Sequence, residues 1–427
     1  MQDVHIIAVG MIPFGKYPDQ GVKQLTARVV EDLFAHSAVP QSEIEAVWMG
    51  NAGWGMSGGQ HCIRGQVALA PLGFDEIPIM NVENACAGGA SAFHGAWMGV
   101  AAGAYDVALA IGAEKLSVPP SAGVEGKRKG LNSFIAGTDV EVTAKLIEQM
   151  KADAERKRRE LEARGKVARG ESQAPRSPFM DIYSMAARAH AQRHGSTQEQ
   201  LAIIASKNHL HGSLNPHAQY RMKMSVEEVL NDRLVSHPLT RAMCAPMGDG
   251  ASAAIVVSGE YLKRVEDARP VRVRASVLAS GGLKPGNHAK RAAQKAYAMA
   301  GVGPEEIDTA EVHDATAFGE LAMCEHLGFC AEGEGGRYAE SGATRLGGAR
   351  PINPSGGLEC RGHPIGATGL AQIAEIVQQL RGEAGERQVE GARLGLTENG
   401  GGFIGQGEAA IAIHIFEGPP QGSGPGS

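Results

Sequence analysis

The amino-acid sequence predicts an α/β protein built from two similar halves. Three observations carry that prediction. A short apolar run at residues 4–10 (VHIIAVG) leads through a helical pattern into a second strand, and the same order returns from residue 271. Val39, Glu43 and Ile44 match Val302, Glu306 and Ile307 at one constant offset, a sparse but ordered internal repeat. Glycine supplies 58 of 427 residues, about twice the usual ~7%, and gathers in short motifs rather than one tract. That usage suits a site made of tight turns and close backbone approaches.

Residues 4–10 read as a buried strand, an apolar run closed by glycine. Residues 22–37 place Leu25, Val29, Val30, Leu33 and Phe34 on one helical face. Residues 38–51 read as a loop and a second strand. Residues 82–116 give a strand end, a helix from about Ala87 to Gly103, and a buried strand at 107–112. That Gly- and Ala-rich helix is poor by propensity and needs burial on all sides, as between two sheets. In the second half, 271–280 reads as a strand, 289–300 as a helix, 301–314 as loop and strand, and 317–327 as a helix. Residues 356–380 read as a Gly-rich turn and a helix. Between the halves, the charged stretch 151–171 reads as a solvated helix in an inserted cap. The last ten residues, GPPQGSGPGS, read as a disordered tail.

Composition narrows the function classes. The net charge is −6, so nucleic acid is not the expected partner. No CxxC pair or regular spacing joins Cys62, Cys86, Cys244, Cys324, Cys330 and Cys360, which argues against a zinc ribbon or a disulfide scaffold and suits a reducing, cytoplasmic setting. The first residues show no signal-peptide pattern. No apolar run reaches membrane-spanning length. His209, His211 and His217 lack Cys or acidic partners at ligand spacing, so no metal site is expected.

Three places combine reactive side chains with glycine-rich backbone. In Asn84-Ala85-Cys86-Ala87-Gly88-Gly89, Cys86 sits where a strand enters a helix. The positive helix end there favours a thiolate; the competing reading is a buried structural cysteine. In residues 353–369 (NPSGGLECRGHPIGATG), His363 lies at a turn-to-helix junction, roughly the counterpart of Cys86 in the repeat. Two pseudo-symmetric helix starts would bring them face to face, as a thiol nucleophile and its base. In Glu311-Val312-His313-Asp314-Ala315-Thr316, His313 follows a strand and can donate to a developing oxyanion. There the competing reading is a cap, by Asp314 or Thr316, on helix 317–327.

Taken together, the motif around Cys86, HDAT at 313–316 and NPSGGLxxxGHPxGATG at 353–369 resemble the thiolase superfamily. The resemblance is greatest to sterol-carrier-type and archaeal-type thiolases and runs in order through residues 1–416. It implies the thiolase fold, two pseudo-symmetric α/β/α/β/α halves with an inserted loop domain. The N-terminal half would be 1–119 and 201–268, the loop domain 120–200, the C-terminal half 269–417 and the tail 418–427. GDGASAAIVVS (248–258) would be the last strand of the first half. The implied chemistry is reversible Claisen condensation of acyl-CoA thioesters, with coenzyme A as co-substrate and no bound cofactor. Cys86 would carry the acyl group, His363 would take its proton, and His313 would hold the enolate oxygen. The backbone N–H groups of Cys86 and of Gly402, in the loop 400–405, would form a second oxyanion hole. Ser280, Gly281 and Gly282 would help bind CoA.

The pattern departs from the family in one respect. Neither the loop 397–405 nor position 315, an alanine, supplies the second cysteine that abstracts the α-proton. Cys360 and Glu398 are the remaining acid/base candidates. Relatives lacking that cysteine act on bulky or branched 3-oxoacyl-CoAs and pair with a small zinc and OB-fold subunit of the DUF35 type; the benzoylsuccinyl-CoA thiolase is one. The resemblance thus implies a homodimer with such a subunit attached. The alternatives are a retro-aldolase or ketosynthase on the same scaffold, or a non-catalytic scaffold that binds CoA esters.

Overall fold

The computed structural model describes residues 2–117, 137–145, 148, 149, 152, 156 and 178–419, except 267, 284, 285 and 406. Most of the charged stretch 151–171, and the tail from 420, lie outside the described residues.

The expected repeat is visible as strand order. The first half has β1 (Val4–Met11), β2 (Ala46–Gly50), β3 (Ile79–Val82) and β4 (Val107–Glu114). A ribbon of β5 (Leu234–Ser236) and β6 (Leu239–Thr240) precedes β7 (Gly250–Ser258). The second half has β8 (Val271–Ser280), β9 (Thr309–Glu311), β10 (Leu394–Ile404) and β11 (Gly407–Glu417). The main sheet runs β3-β2-β4-β7-β1-β8-β11-β10-β9. In the first half β7 is antiparallel to both neighbours, while β2 pairs parallel with β3 and β4. In the second half β11 is antiparallel to both neighbours, while β9 and β10 are parallel. The counterpart of β3 is reduced to a single parallel bridge between Ala310 and Ile352. The halves join where β1 meets β8, through the pairs His5–Arg272 and Ile6–Val271, so the strands of the two halves form a first and a second sheet layer linked at that seam.

Apolar side chains set five layers. Helix α1 (Val22–Ala35) buries Leu25, Val29, Val30 and Leu33 against one face of the first sheet. Helices α2 (Gly88–Ala101) and, from the second half, 368–381 fill the space between the sheets, where Phe93 and Trp97 meet Leu370, Ile373 and Val377. The helices at 288–300 and 317–326 cover the outer face of the second sheet. The chain is thus two similar α/β/α/β/α halves, the architecture the sequence predicts. Burial of α2 is nearly complete, with Met98 alone 50% exposed.

Glycines allow the two central helices to start in contact. A Cβ on Gly89 would lie 2.7 Å from the Gly366 carbonyl oxygen, and one on Gly369 would lie 2.5 Å from the Ala90 nitrogen. Real Cβ atoms do not come so close to backbone, so these positions require the smallest residue.

Helices α3 (Pro178–His194) and α4 (Gln198–Ser213) pack with the β5–β6 region and with Phe318 and Leu321 of the second half in one cluster. The boundary expected at residue 200 falls inside this packed cluster, while β7 is a strand of the first sheet. Residues 397–405 were expected as a loop; instead 397–404 continue β10 and Gly405 turns the chain. Pairing with β11 across a full hairpin holds a Gly-rich segment extended that its composition alone would not.

Candidate active site

Cys86 is presented by a strained turn. After β3 ends, residues 85–87 form a 3₁₀ turn and α2 begins at Gly88. Ala85 has φ 47°, and its N–H donates to Glu83 Oε1 at 2.7 Å. A non-glycine residue in that region is costly, and such strain gathers at functional sites. The glycines of β10 press on this turn: a Cβ on Gly401 would lie 2.2 Å from the Asn84 oxygen. The Gly402 N–H and Cys86's own N–H are directed at the sulfur.

Burial nevertheless pushes the Cys86 thiol up to about 12, with the Glu114 charge adding to the rise. The expectation of a thiolate stabilised by the helix end is therefore corrected. Loss of hydration outweighs the N–H groups, and the sulfur rests as a neutral thiol.

His363 supplies a place for the proton. Its Nε2 lies 3.2 Å from Cys86 Sγ, and its Nδ1 lies 2.8 Å from Thr368 Oγ1. The Thr368 hydroxyl donates its single proton to the Pro364 carbonyl at 3.1 Å. Its lone pair must then accept from Nδ1–H, which leaves Nε2 bare and facing the thiol. Burial first, then the nearby His313, holds His363 well below the usual imidazole range. Thr368→Val should lower kcat roughly 10–100-fold, the scale seen when a bond orienting a functional imidazole is lost. Thr368→Ser should retain activity, and steady-state kinetics on both variants checks this.

His313 follows β9 and meets the other two from the side. Its ring centre is 5.2 Å from that of His363, at 79° between planes. Asn399 Nδ2 donates to His313 Nδ1 at 3.0 Å, so the ring proton is on Nε2. The His313 N–H donates to Glu398 Oε2 at 2.9 Å. Burial lowers His313 to about 4. The capping alternative does not describe this segment. Thr316, the N-cap of helix 317–326, makes no side-chain cap bond. Asp314 instead accepts from Leu358 N–H at 2.7 Å, which ties HDAT to the short helix Gly357–Arg361 before His363. Sγ of Cys86 and ring nitrogens of His313 and His363 lie within 4.8 Å of one another, a set that a metal ion could also bridge. Their separation in the chain hid that set from a reading by ligand spacing.

A second joint fixes the two halves relative to each other. Glu114, fully buried at the end of β4, accepts from Asn51 Nδ2, Ala52 N–H and Gly53 N–H. It also accepts from Gly366 N–H at 3.2 Å, inside the GHPIG loop. The carboxylate thus anchors the His363 loop to the half that carries Cys86.

Residues 4–229 match the thiolase N-terminal domain, and residues 281–414 match the thiolase C-terminal domain-like family. The chain belongs to the thiolase family. It is 37% identical to an acetyl-CoA acetyltransferase of Methanothermobacter thermautotrophicus, over 97% of this chain and 100% of that one. It is 33% identical to the benzoylsuccinyl-CoA thiolase subunit BbsB of Thauera aromatica, over 93% of this chain and 94% of the relative. Among solved structures, the Ltp2-ChsH2(DUF35) aldolase superposes with a TM-score of 0.74 at 21% identity, covering 98% of each chain, which bears on the fold.

Two cavities of this thiolase meet at Cys86. One is a narrow apolar cleft bounded by Phe179, Met180, Tyr183, His313, His363 and Phe403. The other, about 250 Å³, reaches past Met56, His61 and Arg64. The remaining sequence candidates line neither. Cys360 is fully buried against Gly212, where an added Cβ would sit 2.5 Å from Cys360 Cβ. Glu398 is fully buried with Oε2 held by the His313 N–H, and burial pushes it up to about 8. Ser280, Gly281 and Gly282 lie beside the start of β11, where Gly281 N–H donates to the Ala409 carbonyl. His209 and His211 are buried in α4 and bond to backbone.

The sequence reading missed Thr368, Asn399, Glu114, Tyr183 and Glu408 at or behind these cavities. Thr368 had a signal, its place within GATG beside His363. Glu114 had one too, a carboxylate ending an apolar strand. The other three depend on pairings across the fold.

Proposed function

We propose that this chain is an acyl-CoA C-acyltransferase that cleaves or forms a 3-oxoacyl-CoA through an acyl-thioester on Cys86. The observation that carries the reading is the 3.2 Å contact between Cys86 Sγ and the unprotonated Nε2 of His363, beside two N–H groups directed at the sulfur. In the cleavage direction His363 takes the thiol proton as Sγ attacks the 3-oxo carbon. The oxygen gains charge against the Cys86 and Gly402 N–H groups. Collapse breaks the bond between C2 and C3. The electron pair passes to the thioester oxygen, where His313 Nε2–H meets it as an enolate. The proton that His363 took from Cys86 is passed on to the enolate carbon, and the shorter acyl-CoA leaves. The CoA thiol, losing its proton to the freed imidazole, then removes the acyl group, and His363 returns that proton to the Cys86 thiolate.

The 250 Å³ cavity beside Cys86 supports a bulky or branched acyl group. The benzoylsuccinyl-CoA thiolase subunit supports the same class, and its being a subunit supports assembly with another polypeptide. We propose a homodimer carrying a small DUF35-type subunit.

Steady-state kinetics with 3-oxoacyl-CoAs and CoA tests the reading. Parallel double-reciprocal lines, the mark of a ping-pong mechanism, are expected. Turnover that releases an aldehyde or ketone without consuming CoA would instead establish the retro-aldolase.

A further inference from the structure

An enolate formed in this cleft needs a group that takes and returns the proton on C2, and no cysteine stands where the sequence pattern would place one. Two acidic side chains of the β10–β11 hairpin stand near the cleft. Glu398 pairs with Ile413, which belongs to the outer apolar cluster, and its Oε2 is held by the His313 N–H. Glu408 pairs with Phe403, beyond Gly402, whose φ of 64° breaks the alternation of the strand.

Glu408 lines the same cleft as Cys86, His313 and His363. Its side chain lies across Gly400: a Cβ there would fall 2.7 Å from Glu408 Cγ and 3.4 Å from Oε1. Glycine at 400 is what lets the carboxyl fold over the strand into the cleft. Tyr183 and Phe403 complete that wall and keep it apolar.

We propose that Glu408 is the acid/base for the C2 proton, in place of the absent second cysteine. In the condensing direction the C2–H bond breaks and its proton passes to the Glu408 carboxylate. The electron pair forms the enolate, with charge on the thioester oxygen at His313 Nε2–H. The enolate carbon then attacks the acyl carbon on Cys86, and sulfur leaves as thiolate, receiving through His363 the proton that Glu408 took from C2. In cleavage the Glu408 carboxyl returns its proton to the departing enolate. Burial raises the Glu408 carboxyl, with His288 opposing that rise, which favours a group able to hold and return a proton.

The inference rests on the acyl-transfer reading, and two readouts on the full-length protein separate them. Deuterium uptake at C2 of acetyl-CoA and propionyl-CoA in D₂O reports proton transfer. The mass of the Cys86 peptide after incubation with the same thioesters reports acylation. Glu408→Gln is expected to slow C2 exchange at least 100-fold, within the range for losing a positioned acid/base, while Cys86 still acylates. Formate added to Glu408→Ala is expected to restore part of the exchange. Exchange at the wild-type rate in Glu408→Gln would overturn the proposal. So would parallel loss of exchange and acylation in both variants, which marks a structural role. A wild-type protein that acylates but does not exchange would overturn this proposal alone. One that never acylates would overturn the acyl-transfer reading with it.

Discussion

Cys86→Ala abolishes turnover on this account, with a loss of roughly 10⁴–10⁶ in kcat, the scale seen when a covalent nucleophile is removed. The fold should survive. The thiol's side-chain hydrogen bond is the 3.2 Å contact with His363. An alanine methyl fits the same turn, because Ala85 and Ala87 already flank it within a close-packed set of small residues. The melting temperature should therefore match the wild type while acyl transfer disappears. An active alanine variant would return Cys86 to the structural role a free cysteine ordinarily has.

His363→Ala should cost 10²- to 10⁴-fold in kcat/KM, the range for losing a positioned general base. The effect is large because the thiol cannot ionise unaided: burial holds it near 12, so without a base little thiolate forms at neutral pH. The same geometry fixes the sign of the pH dependence. Burial lowers His363 well below the usual value and lowers His313 to about 4. For a base held below its unfolded value, the neutral form persists as pH falls through 6.5, and protonation stops catalysis only lower down. A profile of kcat/KM against pH should therefore stay flat through pH 6 and fall well below it. A fall centred on 6.5 would show an imidazole in ordinary solvent instead.

Much of this site could be read from the sequence, for a physical reason. Cys86 and His363 each occupy a glycine-padded junction into a helix, and the repeat places those helices as counterparts across the central layer. Glycines at 89, 366 and 369 then allow only a close crossing there. The five layers followed from apolar runs too short for helices and from one-sided helical faces. Other parts were hidden because they depend on registers. Asn399 meets His313 through the β9–β10 pairing, and Glu408 enters the cleft on the return strand of a hairpin whose first strand looked like a loop. With 397–405 taken as a loop, the face of Glu398 could not be assigned. Tyr183 lies in α3, where charged and aromatic residues mix without a clean period. The resting charge of Cys86 was misjudged because helix-end stabilisation can be seen in sequence, whereas loss of water around a sulfur cannot.

The most direct test is peptide mass spectrometry of the protein quenched during turnover with a 3-oxoacyl-CoA. The account predicts one acyl mass on the peptide containing Cys86, removed when CoA is added. An unmodified Cys86 peptide in an active preparation, or an acyl mass confined to the exposed Cys62, would contradict it.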